Sequence, residues 1–238
     1  MSLIRLDKYL ADAGQGTRSE VKIKIKQCRV KVNDVIEKKP ETKINPDEDI
    51  VSIDGKPLCH EEFQYYMLNK PAGVVSATKD DRDKTVLCLI DEDKRRDLFP
   101  VGRLDKDTEG LLLITNDGIL ANNLLAPGKH VDKEYYAVVE GRVTKETVES
   151  FKQGVDIGDD KPTAPAILVI EESGEESKIR LTITEGRYHQ VKRMFEAVGM
   201  RVKYLKRLSM GSLKLDDTLE VGSYRRLTLE ELDRLKNK

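Results

Sequence analysis

Cysteine is scarce in this chain: three residues in 238, Cys28, Cys59 and Cys88, odd in number and far apart. That excludes a disulfide framework and a cysteine-built zinc site, and leaves ordinary packing or surface thiols. No apolar run reaches membrane-spanning length, and the N-terminus lacks the apolar stretch of a signal peptide. A cytoplasmic protein with no membrane partner is therefore expected. There is no glycine-rich phosphate loop, no metal-ligand cluster and no short-period repeat. Net charge is nearly absent too, at −1, which withholds the usual signature of a nucleic-acid binder. What is present is 38% hydrophobic and 36% charged residues, over a length able to hold a small domain and a larger one.

The charge is segregated. Residues 17–31 carry six basic side chains (Arg18, Lys22, Lys24, Lys26, Arg29 and Lys31) against Glu20 alone. Residues 187–207 carry Arg187, Lys192, Arg193, Arg201, Lys203, Lys206 and Arg207 against Glu196 alone. Acids at 91–97 and 171–176 cancel the total. Two basic patches of this kind can attract phosphates at two places. For the first patch, a solvated helix face is the alternative.

Residues 1–60 read as a separate small domain, 61–64 as a polar connector and 65–238 as a larger α+β domain. Leu6 and Leu10 stand at helical spacing before Gly14, and Thr17 with Glu20 has the pattern of a capping box. The next segment, Val21-Lys22-Ile23-Lys24-Ile25-Lys26, alternates like a strand, yet Val21, Ile25 and Cys28 also share a helical face. The cap favours helix. Short strands are predicted at 29–32 and 48–53, with turns at Asn33-Asp34 and Asp54-Gly55. Further on, strands are predicted at 65–68, 111–115, 134–139, 166–170 and 178–184, and helices at 120–125, 145–153, 188–198 and 229–236. Strands and helices mixed without strict alternation indicate α+β.

The densest signal is VGRLDKDTEGLLLITNDG at 101–118. Leu111-Leu112-Leu113-Ile114 is apolar enough for a strand covered on both faces, so Asp105 lies just outside a rigid element. Arg103, two residues earlier, carries a planar fork of donors suited to phosphate or carboxylate. Asp105, Asp107, Glu109 and Gly110 also fall at positions one, three, five and six of a calcium loop. Asn116 at position twelve, where a bidentate Glu belongs, and flanks that read as strand and turn argue against it, and no metal is expected. Spacing alone leaves open a reading in which these acids merely punctuate a surface turn.

Gly102-Arg103-Leu104-Asp105, Thr108, Gly110 and the apolar strand resemble the active-site motif of pseudouridine synthases, in the branch that modifies small-subunit ribosomal RNA. LNKPAGVVSA from Leu68, DKEYYAVV from Asp132 and EGRYHQVKRMFEAVG from Glu185 resemble other stretches of that branch, in the same order. RLDKYLADAG and the segment at 17–34 resemble the α-L type RNA-binding domain shared with a small-subunit ribosomal protein. The resemblance runs over essentially the whole chain. It implies a mixed, mainly antiparallel sheet in two subdomains, with a cleft along their junction. It also implies the reaction: the bond between ribose and ring nitrogen breaks, the uracil turns, and the ribose joins carbon five. No redox or phosphoryl step occurs, so no cofactor is expected.

The same resemblance makes Asp105 the essential carboxylate, whether it attacks the ribose or first removes a ribose proton. It sets Lys192 opposite that carboxylate, with Arg193 as the alternative one residue on. Tyr135 would stack on the uracil and help remove the proton from carbon five, while Tyr136 faces the other way and packs. Lys70, Pro71 and Gly73 form a turn that supports the cleft floor. Arg103 is the candidate to fill the gap left by an extruded base or to grip the displaced backbone. Arg187, His189, Gln190 and Arg193 are expected near the RNA, although His189 is also readable as a local hydrogen-bonding residue. Arg18, Lys22, Lys24, Lys26 and Arg29 would form a remote RNA grip.

Gly186-Arg187-Tyr188-His189-Gln190 lacks the Asn-Arg pair usual in large-subunit enzymes. With Thr163-Ala164-Pro165-Ala166, it favours a uridine of 16S rRNA, free or in a small-subunit assembly intermediate. A large-subunit (23S) uridine is the runner-up. A noncatalytic RNA-binding or ribosome-assembly protein is a third reading, opposed by the intact Asp105, Tyr135 and Lys192. Nothing in the sequence demands a partner subunit, and a monomer is expected.

Overall fold

Helices α1 (Leu6–Asp12) and α2 (Arg18–Lys26) open the chain, and Thr17 decides the second. Its Oγ1 accepts from the Glu20 N–H at 3.3 Å, while Glu20 Oε2 accepts from the Thr17 N–H at 2.6 Å. This capping box overrides the strand-like alternation. Val21 and Ile25, one turn apart, are fully buried, and Lys22 and Lys26 are exposed. Strands β1 (Ile4–Arg5), β2 (Val30–Val32), β3 (Val35–Ile36), β4 (Lys43–Ile44), β5 (Val51–Ile53) and β6 (Lys56–Pro57) complete this unit. β1 pairs with β4, and the others form an antiparallel sheet in the order β3-β2-β5-β6. Asn33, Asp34, Asp54 and Gly55 take positive φ at the expected turns.

The computed structural model describes residues 3–58, 63–90 and 97–237. It divides into two compact units with a break between Phe63 and Gln64. Residues 61 and 62 of the expected connector, and Cys59, lie outside the described residues. Cys28 and Cys88 are exposed free thiols. No described helix is long and apolar enough to cross a membrane.

The second unit is built on one mixed sheet. Its strands are β7 (Tyr65–Lys70), β8 (Phe99–Pro100), β9 (Glu109–Thr115), β10 (Lys133–Glu140), β11 (Ile167–Glu172), β12 (Glu176–Ile183), β13 (Arg201–Met210), β14 (Leu213–Lys214) and β15 (Tyr224–Arg226). The order is β11-β12-β10-β13-β9-β7-β15, with β8 on β9 and β14 on β13. Its strand pairs are antiparallel except β13 and β9, which run parallel through Lys206↔Glu109 and Arg207↔Gly110. Two antiparallel halves therefore meet at one short parallel ladder. Helices α3 (Gly118–Leu125), α4 (Lys145–Gln153), α5 (Gln190–Ala197) and α6 (Leu229–Lys236) pack around them.

β9 is buried on both faces, as its apolar run implies. Leu112 and Ile114 enter one hydrophobic cluster with Tyr135, Leu181 and Phe195, and Leu111 and Leu113 enter another with Met67, Leu120 and Met210. On α5, Val191, Met194 and Phe195 form the buried face at helical spacing. The helix starts at Gln190, two residues later than predicted, because His189 takes a left-handed φ of 49°.

The ten-residue β13 was not among the predicted strands. Four of its ten residues are basic, and its pairing with β10 shifts register twice, between Glu134 and Tyr135 and between Val138 and Val139. Those irregularities break the period-two pattern by which a strand is read. The junction also explains Gly110. At its φ of 97°, a Cβ would lie 2.3 Å from Arg207 O. Gly110→Ala is expected to lower stability by about 2–4 kcal/mol, combining left-handed strain with overpacking against fixed backbone. Gly118→Ala, with open space around it, should change stability by no more than about 0.5 kcal/mol. Denaturant unfolding checks this, and equal midpoints for the two variants would contradict it.

Candidate active site

The loop between β8 and β9 carries Asp105, and its backbone is held from below by Lys70. That side chain has no exposed surface, and its Nζ donates to the carbonyls of Pro71 (3.1 Å), Asp105 (3.0 Å), Lys106 (3.3 Å) and Thr108 (2.8 Å). Gly73 N–H adds a bond to Lys106 O at 2.7 Å. Ser76 Oγ both donates to Leu104 O, at 2.9 Å, and accepts from Leu104 N–H, at 3.0 Å. The KPxG segment thus determines the shape of the Asp105 loop, a larger role than a supporting turn. Burial pushes the Lys70 ammonium down to about 8, against the opposing pull of Asp107, Asp105 and Glu109.

With the carbonyls turned inward, the carboxylates turn outward to α5. Lys192 Nζ lies 3.2 Å from Asp105 Oδ2 and 2.6 Å from Asp107 Oδ1. Burial opposes the Lys192 charge, but its bonds to Asp107 and Asp105 outweigh that and hold it above the ordinary lysine value. Burial likewise opposes the Asp107 charge, and Lys192 outweighs it, holding that carboxyl below its ordinary value. Arg193, the alternative partner, points elsewhere: Nη2 donates to Ile157 O at 2.5 Å and to Asp159 Oδ1 at 2.6 Å. Glu109 accepts from Tyr204 Oη at 2.7 Å. The three acids of the calcium-like pattern are therefore divided between a lysine and a phenol.

A pocket forms over Asp105, lined among others by Arg103, Thr108, Tyr135, His189, Lys192 and Leu205. Tyr135 is 7% exposed and lies on the core face of β10. Tyr136 takes the opposite face and packs edge-on against Tyr204 at 6.2 Å. His189 Nε2 sits 3.6 Å from Asp105 Oδ1. Thr108 Oγ1 is buried at the pocket with no hydrogen-bond partner among the described residues, a feature its motif position alone did not reveal. Arg103 is exposed at the same pocket and makes no ion pair among the described residues.

Several of the residues expected near the RNA hold partners inside the protein. Arg187 donates to Lys161 O at 2.6 Å and Pro162 O at 2.8 Å and pairs with Glu185 at 3.2 Å. Gln190 is buried, donating to Glu185 and accepting from the Arg187 N–H. With Arg193 on Asp159, these three residues brace the turn before α5, because a left-handed turn leaves backbone groups that need partners. In the first unit, Arg29 forms a two-bond pair with Asp54 at 2.8 and 2.5 Å, Lys24 donates to Gln15 O at 2.7 Å, and Lys22 lies 3.8 Å from Asp7. Arg18 and Lys26 are exposed and make no ion pair among the described residues.

A family model described as RNA pseudouridylate synthase matches residues 64–197. The chain belongs to that family. A second model, the S4 domain, matches residues 4–50. An uncharacterised RNA pseudouridine synthase of Bacillus subtilis is 48% identical over 232 residues, covering 96% of this chain and 97% of that one. Ribosomal small subunit pseudouridine synthase A of Escherichia coli is 42% identical, covering 96% and 98%, and that of Yersinia pestis 41%, covering 96% and 97%. A crystal structure of a pseudouridylate synthase superposes with a TM-score of 0.69 at 38% identity, covering 98% of this chain and 99% of that one.

The Lys70 clamp is expected to give this pseudouridylate synthase a pH response. Below about pH 8 the ammonium offers three N–H groups to four carbonyls, and a neutral amine offers two. Uridine isomerisation is expected to fall as pH rises through about 8. Burial holds the folded lysine at about 8, below its ordinary 10.5. The native state therefore binds fewer protons between those values, and this group's contribution to stability rises with pH there. A rate profile and Tm measured together from about pH 7 to 9.5 check this. Rate and Tm falling in parallel would contradict the loop mechanism.

Proposed function

We propose that this chain isomerises a uridine of small-subunit 16S rRNA to pseudouridine, free or in an assembly intermediate, with Asp105 as the carboxylate acting at the ribose. The observation that carries this is the Lys192–Asp105 contact at 3.2 Å, on the wall of a pocket that also holds Tyr135. The near-full-length relatives named for the small ribosomal subunit support the choice of RNA. In the reaction the bond from C1′ to N1 breaks, the uracil turns and C1′ bonds to C5. A proton leaves C5 and one is gained at N1. Lys192 keeps the carboxylate aimed into the pocket by direct charge pairing. Tyr135 offers its ring to the uracil and its hydroxyl to the C5 proton. The Thr108 hydroxyl is free to bond a polar edge of the nucleoside. Arg103 is placed to contact the RNA backbone around the extruded nucleotide.

The first unit, matched by the S4 model, is a second RNA grip in this reading. Of the five basic residues assigned to the grip, Arg18 and Lys26 make no ion pair among the described residues, whereas Lys24 and Arg29 hold internal partners and Lys22 lies 3.8 Å from Asp7. Uniform binding energy of this kind changes the saturation constant more than the chemical step.

Asp105→Asn should reduce tritium release from 5-tritiated uridine in 16S rRNA below a tenth of the parent rate, a barrier rise above about 1.4 kcal/mol, with RNA affinity nearly unchanged. Lys192→Ala should lower the saturated rate roughly tenfold and leave KM nearly constant. Retention of turnover by Asp105→Asn would sink the assignment. Replacing Arg18 and Lys26 by Ala should instead weaken binding and flatten its salt dependence by roughly 0.7–0.9 log units per lost phosphate contact, at an unchanged saturated rate. A rate slowed at saturating RNA would show that the first unit helps form the active site.

A further inference from the structure

Tyr188 is 76% exposed, yet the turn that presents it is firmly held. Arg193 Nη1 donates to Tyr188 O at 3.2 Å, the Arg187 N–H donates to Gln190 Oε1 at 2.9 Å, and the Gln190 N–H returns a bond to Arg187 O at 3.2 Å. The bonds of Arg187 and Arg193 to backbone carbonyls at 157, 161 and 162 anchor the same turn. His189 adopts a left-handed φ of 49°, a conformation that costs a non-glycine residue energy and persists only where its surroundings impose it. The result is a ring stack: Tyr188 lies on His189 with centroids 3.8 Å apart and planes 18° from parallel. His189 in turn stands 3.6 Å from Asp105 Oδ1. One face of the tyrosine is backed by imidazole, and the ring as a whole remains largely open to solvent, next to the pocket.

We propose that this open face of Tyr188 is a platform for the nucleobase adjacent to the reacting uridine, with His189 as the spacer that sets its distance from Asp105. The inference rests on the isomerase reading above. Extruding a uridine strips its neighbours of a stacking partner, and an exposed, pre-oriented aromatic face replaces it for any base. The bracing makes the platform rigid before RNA arrives, so little freedom is lost on binding.

The chain contains no tryptophan, so Tyr188→Trp installs a single fluorescent reporter. In an Asp105→Asn background, unmodified transcribed 16S rRNA should quench that indole, with filter binding on the same samples reporting occupancy. Leu229→Trp, at a site 87% exposed on α6, should not be quenched. In the otherwise unaltered chain, Tyr188→Ala should lower kcat/KM on the order of tenfold or more, and Tyr188→Phe should retain it. RNA bound without quenching, equal quenching at both sites, or full kcat/KM in Tyr188→Ala would each overturn the platform. Absence of tritium release from the unaltered chain would instead overturn the isomerase reading, a result separate from the quenching measurement.

Discussion

The Lys70 ammonium, withdrawn from solvent and surrounded by loop carbonyls, determines where Asp105 stands. A lone buried charge costs several kcal/mol, and hydrogen bonds to a charged group return about 1.5–3 kcal/mol each. Those bonds offset only part of the cost, which leaves the ammonium at about 8, and they do so only while the loop keeps several carbonyls on the lysine at once. Their inward orientation leaves the Asp105 and Asp107 side chains on the opposite side of the loop, where Lys192 meets both. Two lysines from β7 and α5 therefore grip one loop, one by its backbone and one by its side chains.

That grip requires the two halves of the sheet to meet at the same place. The short parallel ladder between β9 and β13 provides the meeting point, and Gly110 lets the strands approach where any side chain would strike Arg207 O. Arg207, itself buried, donates Nε–H to Leu111 O at 2.8 Å across that seam. Asp105 stands five residues before this fixed point, on the loop that Lys70 holds. Much of the second basic cluster is used in construction: Arg207 spans the seam, and Arg187 and Arg193 brace the turn that carries Tyr188 and His189.

The parts of this design that are local were readable in the sequence. Thr17 and Glu20 announced a helix against an alternating lysine pattern, the apolar run at 111–114 announced a doubly covered strand, and α4 and α6 were predicted at the residues where they occur. The resemblance to pseudouridine synthases, carried by Asp105, Tyr135 and Lys192, was readable too, and those three residues line one pocket. What was not readable depended on tertiary partners. β13 was obscured by its basic residues and its bulged pairing, and the many carbonyl bonds of Lys70 have no trace in KPAG. Charge counts could not show that Arg29, Arg187 and Arg193 hold internal partners, whereas Arg103, Arg18 and Lys26 make no ion pair among the described residues.

In the proposed reaction Asp105, held between Lys70 and Lys192, is the group that reaches the ribose. A structure of the Asp105→Asn variant bound to its 16S rRNA segment tests it most directly. The expected complex holds an extruded uridine whose C1′ lies within about 3–3.5 Å of the side chain at 105, with the Tyr135 ring against the uracil. A uridine still stacked in the RNA, or bound with its ribose away from residue 105, would contradict it.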